Sequence, residues 1–187
     1  MNRSGRPDSE SRPGRDVGAT ETDDAGTGVM IVDHGSRRSE SNDLLLRSVS
    51  AFASSSDYRI VEPAHMELAQ PDIRMAFRRC VERGARRIVV FPWFLAPGRH
   101  WDQDIPKLVA SAASEFPQIP WLVTAPFGLH PGMLTVVSDR IARCLARSAE
   151  LSRDADSELV SRDTALPVCE FCDVASRCQF RTASDAI

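Results

Sequence analysis

The sequence predicts an α/β domain built on a four-stranded parallel sheet with helices on both faces. Three observations carry this. Short apolar runs of strand length alternate four times with segments whose apolar residues recur at helical spacing. The runs lead into turn residues such as "DHG", "EPAH" and "APGRH". Each step from one run to the next holds a single helix, which makes the crossovers right-handed, the strands parallel and both sheet faces covered.

The first run, "GVMIVDHG", begins at Gly28 and reads as a buried strand with the turn that follows it. "NDLLLRSVSAFASS" places Leu44, Leu45, Val49 and Phe52 on one helical face, with Ser41 or Asn42 as the expected cap. "YRIVEPAHM" is the second strand. "PDIRMAFRRCVERG" is a helix opened by proline and closed by glycine. "RRIVVFPWF" is the third strand and "DQDIPKLVASAASEF" the third helix, in whose first turn Pro106 is tolerated and whose positive N-terminus suits Asp102 and Asp104. "WLVTAPFG" and "HPGMLTVVSDRIARCLARSAE" close the series as strand and helix.

The domain is therefore expected over residues 28–149. Residues 1–27 offer almost nothing to bury and are expected to be a disordered tail. Residues 150–168 read as a polar linker, and residues 169–187 as a cysteine-containing tail. Lys and Arg number 23 against 26 Asp and Glu, a net charge of -3, which argues against nucleic acid as the main partner. No apolar run reaches the roughly 18 to 20 residues that cross a bilayer, and no hydrophobic centre of a secretory signal stands near the start. A cytoplasmic protein without a membrane partner is expected.

In such sheets ligands bind beyond the carboxyl ends of the strands. Three strand ends deliver polar side chains to that rim: Asp33 and His34, His65 and Glu67, Arg99 and His100. His34 to Glu67 is 33 positions and Glu67 to His100 is again 33, about one strand–helix unit each. Two imidazoles and a carboxylate suit a divalent first-row metal and leave a coordination position open. A lone histidine after a strand is more often a hydrogen-bonding loop residue; three polar ends on one rim change that weighting. Asp33 either orients an imidazole or caps a turn.

The strings "VDHGSRRSESN", "VEPAHMELAQPDI" and "VVFPWFLAPGRHWDQDIP" resemble the short form of the sirohydrochlorin chelatases, single-domain class II chelatases that insert cobalt or ferrous iron into a tetrapyrrole. The resemblance covers about residues 28–146, and "DHGSR" followed by "PGRHxxxDIP" is its most specific part. It implies a chelatase-like three-layer fold, a homodimer, a lyase acting in cobalamin or sirohaem biosynthesis, and His34 and His100 as metal-binding histidines. Larger relatives use a glutamate between the two, for which Glu67 is the candidate. Two positions depart from the pattern. His65 stands where an apolar or aromatic residue is expected, as an extra ligand or an ordinary substitution, and Trp93 stands where tyrosine or phenylalanine is common.

The chemistry fits these residue types. The metal must be held loosely enough to transfer, and two pyrrole N–H protons must be accepted; imidazoles, with an ordinary pKa of about 6.5, do both. Sirohydrochlorin is rich in carboxylates, so Arg99, Arg37 and, with a solvated helix start as the equal alternative, Arg38 are placed to meet it. Ser36 and Gly98 are expected to border the substrate, Pro97 and Gly98 by shaping a turn that lets backbone approach a flat ligand. "GLHPGM" gives the fourth strand a similar loop, with Gly128 and His130 as candidate lining residues.

Cys169, Cys172 and Cys178 form a CxxC followed by a third cysteine, which points to an iron–sulfur cluster, a zinc site or a redox-sensitive thiol group. Three thiolates complete neither metal centre, so the fourth ligand is left to the other subunit, to Cys80 or Cys144, or to another group. Cys80 and Cys144 fall in helix patterns, where small buried hydrophobes are expected. Against the chelatase stand a metal-binding or metallochaperone module without insertase activity and, more distantly, another α/β enzyme acting on a carboxylated small molecule.

Overall fold

The computed structural model describes residues 26–155. The expectations for residues 1–25 and for the segment from 156 onward, Cys169, Cys172 and Cys178 included, lie outside the described residues. Four strands, β1 (Thr27–Asp33), β2 (Ile60–His65), β3 (Arg87–Pro92) and β4 (Trp121–Val123), form an all-parallel sheet in the order β2-β1-β3-β4. They alternate with α1 (Ser39–Ser55), α2 (Ile73–Glu82), α3 (Ile105–Ala113) and α4 (Pro131–Ala155), and a π-helical turn at His100–Asp104 leads directly into α3. Among the described residues no helix is long and apolar enough to cross a membrane.

Strand parity sorts the core into two layers. Val29 and Ile31 of β1 join Val61 of β2 beneath Leu45 and Val49 of α1. The alternate residues Met30, Val32, Ile60, Ala64, Ile88 and Val90 pack against α2 and α3 through Phe77, Cys80, Ile105 and Val109. Met30 and Phe77 are fully buried, each contributing about 1.5–3 kcal/mol by removal of apolar surface from water. Pro63 is accommodated because β2 is an edge strand and needs no donor on its free side.

The helix termini differ in part from expectation. α1 begins at Ser39 with no side-chain cap; Asn42 instead clasps the preceding loop, accepting from the Ser36 N–H and donating to the Ser36 carbonyl, both at 2.9 Å. α2 is capped by Asp72, whose carboxylate accepts from the Met75 N–H at 2.8 Å, and is closed by Gly84 at φ 91. β4 is shorter than its apolar run, because past Thr124 the chain bonds to the loop after β3 instead, Phe127 N–H to Phe94 O and Gly128 N–H to Leu95 O, each at 3.0 Å. α4 continues past residue 149 to Ala155 and leaves Leu134, Val137, Ile141 and Leu145 exposed.

Candidate active site at the carboxyl rim

The sheet register brings the site together. Asp33 of β1 lies beside His65 of β2, and Val32 beside Pro92 of β3. The ladder then continues one step past the strands: Met66 N–H bonds to Asp33 O at 2.8 Å, Glu67 N–H to His34 O at 3.1 Å and Trp93 N–H to Val32 O at 2.7 Å. His34 and Glu67 therefore leave the sheet as neighbours, with Nε2 2.9 Å from Oε1 and both side chains about half exposed, 42% and 53%. The other His34 nitrogen, Nδ1, is 3.2 Å from the Gly35 carbonyl. Assigning the proton to Nδ1 leaves the Nε2 lone pair to share a metal with Glu67; without metal, Nε2–H donates to the carboxylate.

His100 opens the π-helical turn, and its ring stands 5.1 Å from that of His34, edge to face at 71°. Its Nδ1 is 2.9 Å from Asp104 Oδ2, an oxygen that also lies 3.8 Å from Arg99 Nε. Asp104 thus makes no helix-cap bond, contrary to the role expected for it; its carboxylate orients His100 through Nδ1. Trp101 anchors the same turn by donating its indole N–H to the Thr124 carbonyl at 2.7 Å.

Glu67, His100 and Asp104 line a cleft of about 500 Å³ together with Met66, Arg99, Lys107 and Leu108; His34 is not in its lining and adjoins it through Glu67 and His100. The lining combines two cations and two apolar side chains with the carboxylates of Glu67 and Asp104, a mixture that suits a ligand with an apolar body and anionic groups. Among the described residues no three His, Cys, Asp or Glu side chains are gathered as a ready-made cage for a metal ion. His34 and Glu67 are paired, and His100 adjoins them through its ring while its Nδ1 turns to Asp104.

The other candidates fall elsewhere. Arg37 and Arg38 are exposed and do not line the cleft. Ser36 closes its own turn by accepting the Arg38 N–H at 3.0 Å. Gly98 has open space around its α-carbon, where an added Cβ would meet nothing within 4 Å, so its surface is accessible. His130 is exposed and caps the start of α4, its Nδ1 accepting from the Gly132 N–H at 3.0 Å. His65 is not on the rim at all: it is fully buried, with Nδ1 2.6 Å from Asp33 Oδ1. Parity explains this, since His65 shares the sheet face of Val61, whose neighbours are core. Cys80 is buried, and desolvation first, then the Glu62 charge, push its thiol up to about 12 against the pull of Arg83. Cys144, expected to be buried, is exposed on α4. Sequence reasoning missed Trp101, Lys107 and the orienting role of Asp104. The i,i+4 spacing of His100 and Asp104 was the one signal in the chain that pointed to the last of these.

The family model for CbiX matches residues 28–144. The chain is similar to the chloroplastic sirohydrochlorin ferrochelatase of Arabidopsis thaliana, 55% identical over 137 residues that cover 73% of this chain and 60% of that protein. It is also similar to the sirohydrochlorin cobaltochelatase of Methanocaldococcus jannaschii, 40% identical over 81 residues, 43% of this chain and 57% of that protein. In structure it is similar to the sirohydrochlorin chelatase SirB from Bacillus subtilis subspecies spizizenii in complex with cobalt, with a TM-score of 0.59 and 28% identity over 62% of this chain and 50% of that one. The chain thus spans between 50% and 60% of the length of these relatives.

Proposed function

This chain belongs to the CbiX family, and from that premise we propose that it is a sirohydrochlorin chelatase, a lyase-class enzyme that inserts Co²⁺ or Fe²⁺ into the macrocycle for cobalamin or sirohaem biosynthesis. The observation that carries the reading is the His34–Glu67 pair at 2.9 Å, with His100 beside it, at a cleft that Glu67 and His100 line together with Arg99 and Lys107. Two donors each about 2.1 Å from one ion and at right angles to each other stand about 3 Å apart. The pair's 2.9 Å, a hydrogen bond in the absence of metal, is also a separation that two ligands of one ion can take.

In this mechanism His34, Glu67 and His100 hold the incoming ion and leave positions free for pyrrole nitrogens. The macrocycle lies against Met66 and Leu108, with its carboxylates on Arg99 and Lys107. Four metal–nitrogen bonds form, and the two inner N–H groups lose their protons, two for one M²⁺, so charge balances. His34 with Glu67, and His100 with Asp104, are placed to take them. Half-exposed donors suit an ion that must leave again, whereas a closed four-ligand site would retain it.

Iron and cobalt share these ligands, and the relatives' names include both. A homodimer belongs to this reading, supported by the exposed apolar residues Leu134, Val137, Ile141 and Leu145 along α4; light scattering checks it. The expected compartment is the cytoplasm, against which stands the chloroplastic name of the Arabidopsis relative; cell fractionation decides.

The test is absorbance. Mixed anaerobically with sirohydrochlorin and Co²⁺ or Fe²⁺, the protein should shift the macrocycle spectrum faster than metal alone, and His34→Ala should cut the gain by about 100-fold or more. A wild type that binds Co²⁺ without speeding insertion makes the chain a metal-binding or metallochaperone module instead.

A further inference from the structure

A buried histidine with one nitrogen satisfied and one orphaned lies directly beneath the rim. His65 has no exposed surface, and its Nε2 has no hydrogen-bond partner among the described residues. Apolar packing alone does not account for it, since an apolar residue of similar volume would fill the space without stranding a polar atom. What distinguishes the imidazole is its other nitrogen, 2.6 Å from Asp33 Oδ1. The two residues are register partners on β1 and β2, so their side chains meet on the same sheet face.

The same Asp33 oxygen also accepts the Gly35 N–H at 2.9 Å. His34 is thus the middle residue of a turn whose first side chain is tied to its third backbone group and, through His65, to the neighbouring strand. On that strand Glu67 follows His65 by two residues, and its N–H bonds to the His34 carbonyl at 3.1 Å. Each member of the buried pair therefore sits one or two residues before a proposed metal donor. Gly35, at φ 81, lies so close that a Cβ there would meet the Glu67 carbonyl at 1.9 Å and the His65 Cβ at 3.1 Å.

We propose that His65 and Asp33 are positioning residues: a clamp, anchored on the buried His65, that holds His34 Nε2 against Glu67 Oε1 so that both can reach one metal ion. This rests on the chelatase reading for its consequence in turnover, but not for its geometry. The clamp works as a hydrogen bond from Nδ1–H to the carboxylate.

The experiment compares His65→Phe, which removes the donor while filling the space, with His65→Asn, whose amide nitrogen replaces Nδ1–H. Co²⁺ alone is titrated into each protein and followed by its visible absorption, with urea unfolding measured in parallel; insertion kinetics are then run with both substrates varied. Expected for His65→Phe are a folded protein, a Co²⁺ affinity and a metal KM each weakened about tenfold or more, and a sirohydrochlorin KM within about twofold of wild type. His65→Asn should recover most of the Co²⁺ affinity. Unchanged Co²⁺ affinity in folded His65→Phe, or no recovery in an equally stable His65→Asn, overturns the proposal. If His65→Phe does not fold, Asp33→Ala, on a partly exposed residue, is held to the same Co²⁺ criterion, and failure of both to fold makes the pair structural and overturns the proposal too. A wild type that binds Co²⁺ but does not insert it refutes the chelatase reading, while the affinity series still decides the clamp.

Discussion

Replacing Gly35 by alanine separates two contributions that usually come mixed. The residue has φ 81, and an added Cβ would stand 1.9 Å from the Glu67 carbonyl oxygen and 3.1 Å from its carbonyl carbon. The left-handed conformation costs a side-chain-bearing residue about 1–2 kcal/mol. The clash adds more, because the loops carrying His34 and Glu67 must part by over an ångström and the Glu67 N–H to His34 O bond at 3.1 Å is lost with it, about 1 kcal/mol. The total expected is roughly 2–4 kcal/mol in urea unfolding. Gly84→Ala supplies the control, since Gly84 has φ 91 but nothing within 4 Å of an added Cβ; it should lose only about 1 kcal/mol. A misplacement of this size at the donors should also weaken Co²⁺ binding by about 100-fold, with no such loss for Gly84→Ala. If Gly35→Ala is no more destabilising than Gly84→Ala, or binds Co²⁺ as wild type does, the close approach of the two loops is not what holds the site.

Trp101→Phe removes the 2.7 Å bond to the Thr124 carbonyl and should cost about 1 kcal/mol in urea; an unchanged urea midpoint would count against that tether. Lys107→Ala should raise the sirohydrochlorin KM several-fold, with the metal KM unaffected and the difference shrinking in high salt; an equal rise in metal KM would move Lys107 off the carboxylate wall. Cys80 has its folded pKa raised to about 12, so its stabilising contribution is whole below the unfolded pKa and is lost as pH rises through the folded one. Wild type should therefore lose up to about 1.4 kcal/mol per pH unit more than Cys80→Ala across the alkaline range, read from urea midpoints. Leu68, exposed at φ 65 beside Glu67, should gain about 1 kcal/mol on replacement by glycine; a lower urea midpoint would show that its side chain outweighs the strain.

The parallel sheet was legible because every strand is a short apolar run and every crossover a helical one, and burial on both faces demands that pattern. The rim was legible for the same topological reason: His34, Glu67 and His100 follow successive strands. Parity was the signal passed over. Counting by two from Val61 leads to His65, and from Val29 through Ile31 to Asp33, which places both on the α1 side of the sheet rather than on the rim. The π-helical turn left no trace, because its wider ring is set by the backbone bond from Ile105 N–H to His100 O and by Trp101 reaching Thr124, a partner 23 residues away. Lys107 was hidden likewise, as its place in the cleft depends on how α3 leaves that turn.

These placements divide the proposed donors into two kinds. His34 and Glu67 belong to the sheet: backbone bonds at 2.8 and 3.1 Å run across the ladder beneath them, and Asp33 and His65 lie under the turn. His100 belongs to the π-helical turn, whose side-chain bonds among the described residues are Trp101 to the Thr124 carbonyl and His100 to Asp104 within the turn itself. A carrier of a structural ion gains nothing from such asymmetry, since its ligands must all stay. On the chelatase proposal, the fixed pair receives the metal and His100 swings as pyrrole nitrogens replace it. On this argument exchanging the tethers is more damaging than loosening them. A variant that rigidifies the His100 turn should bind Co²⁺ at least as tightly as wild type and insert it more slowly, and a parallel rise in both would mean that release does not limit the reaction.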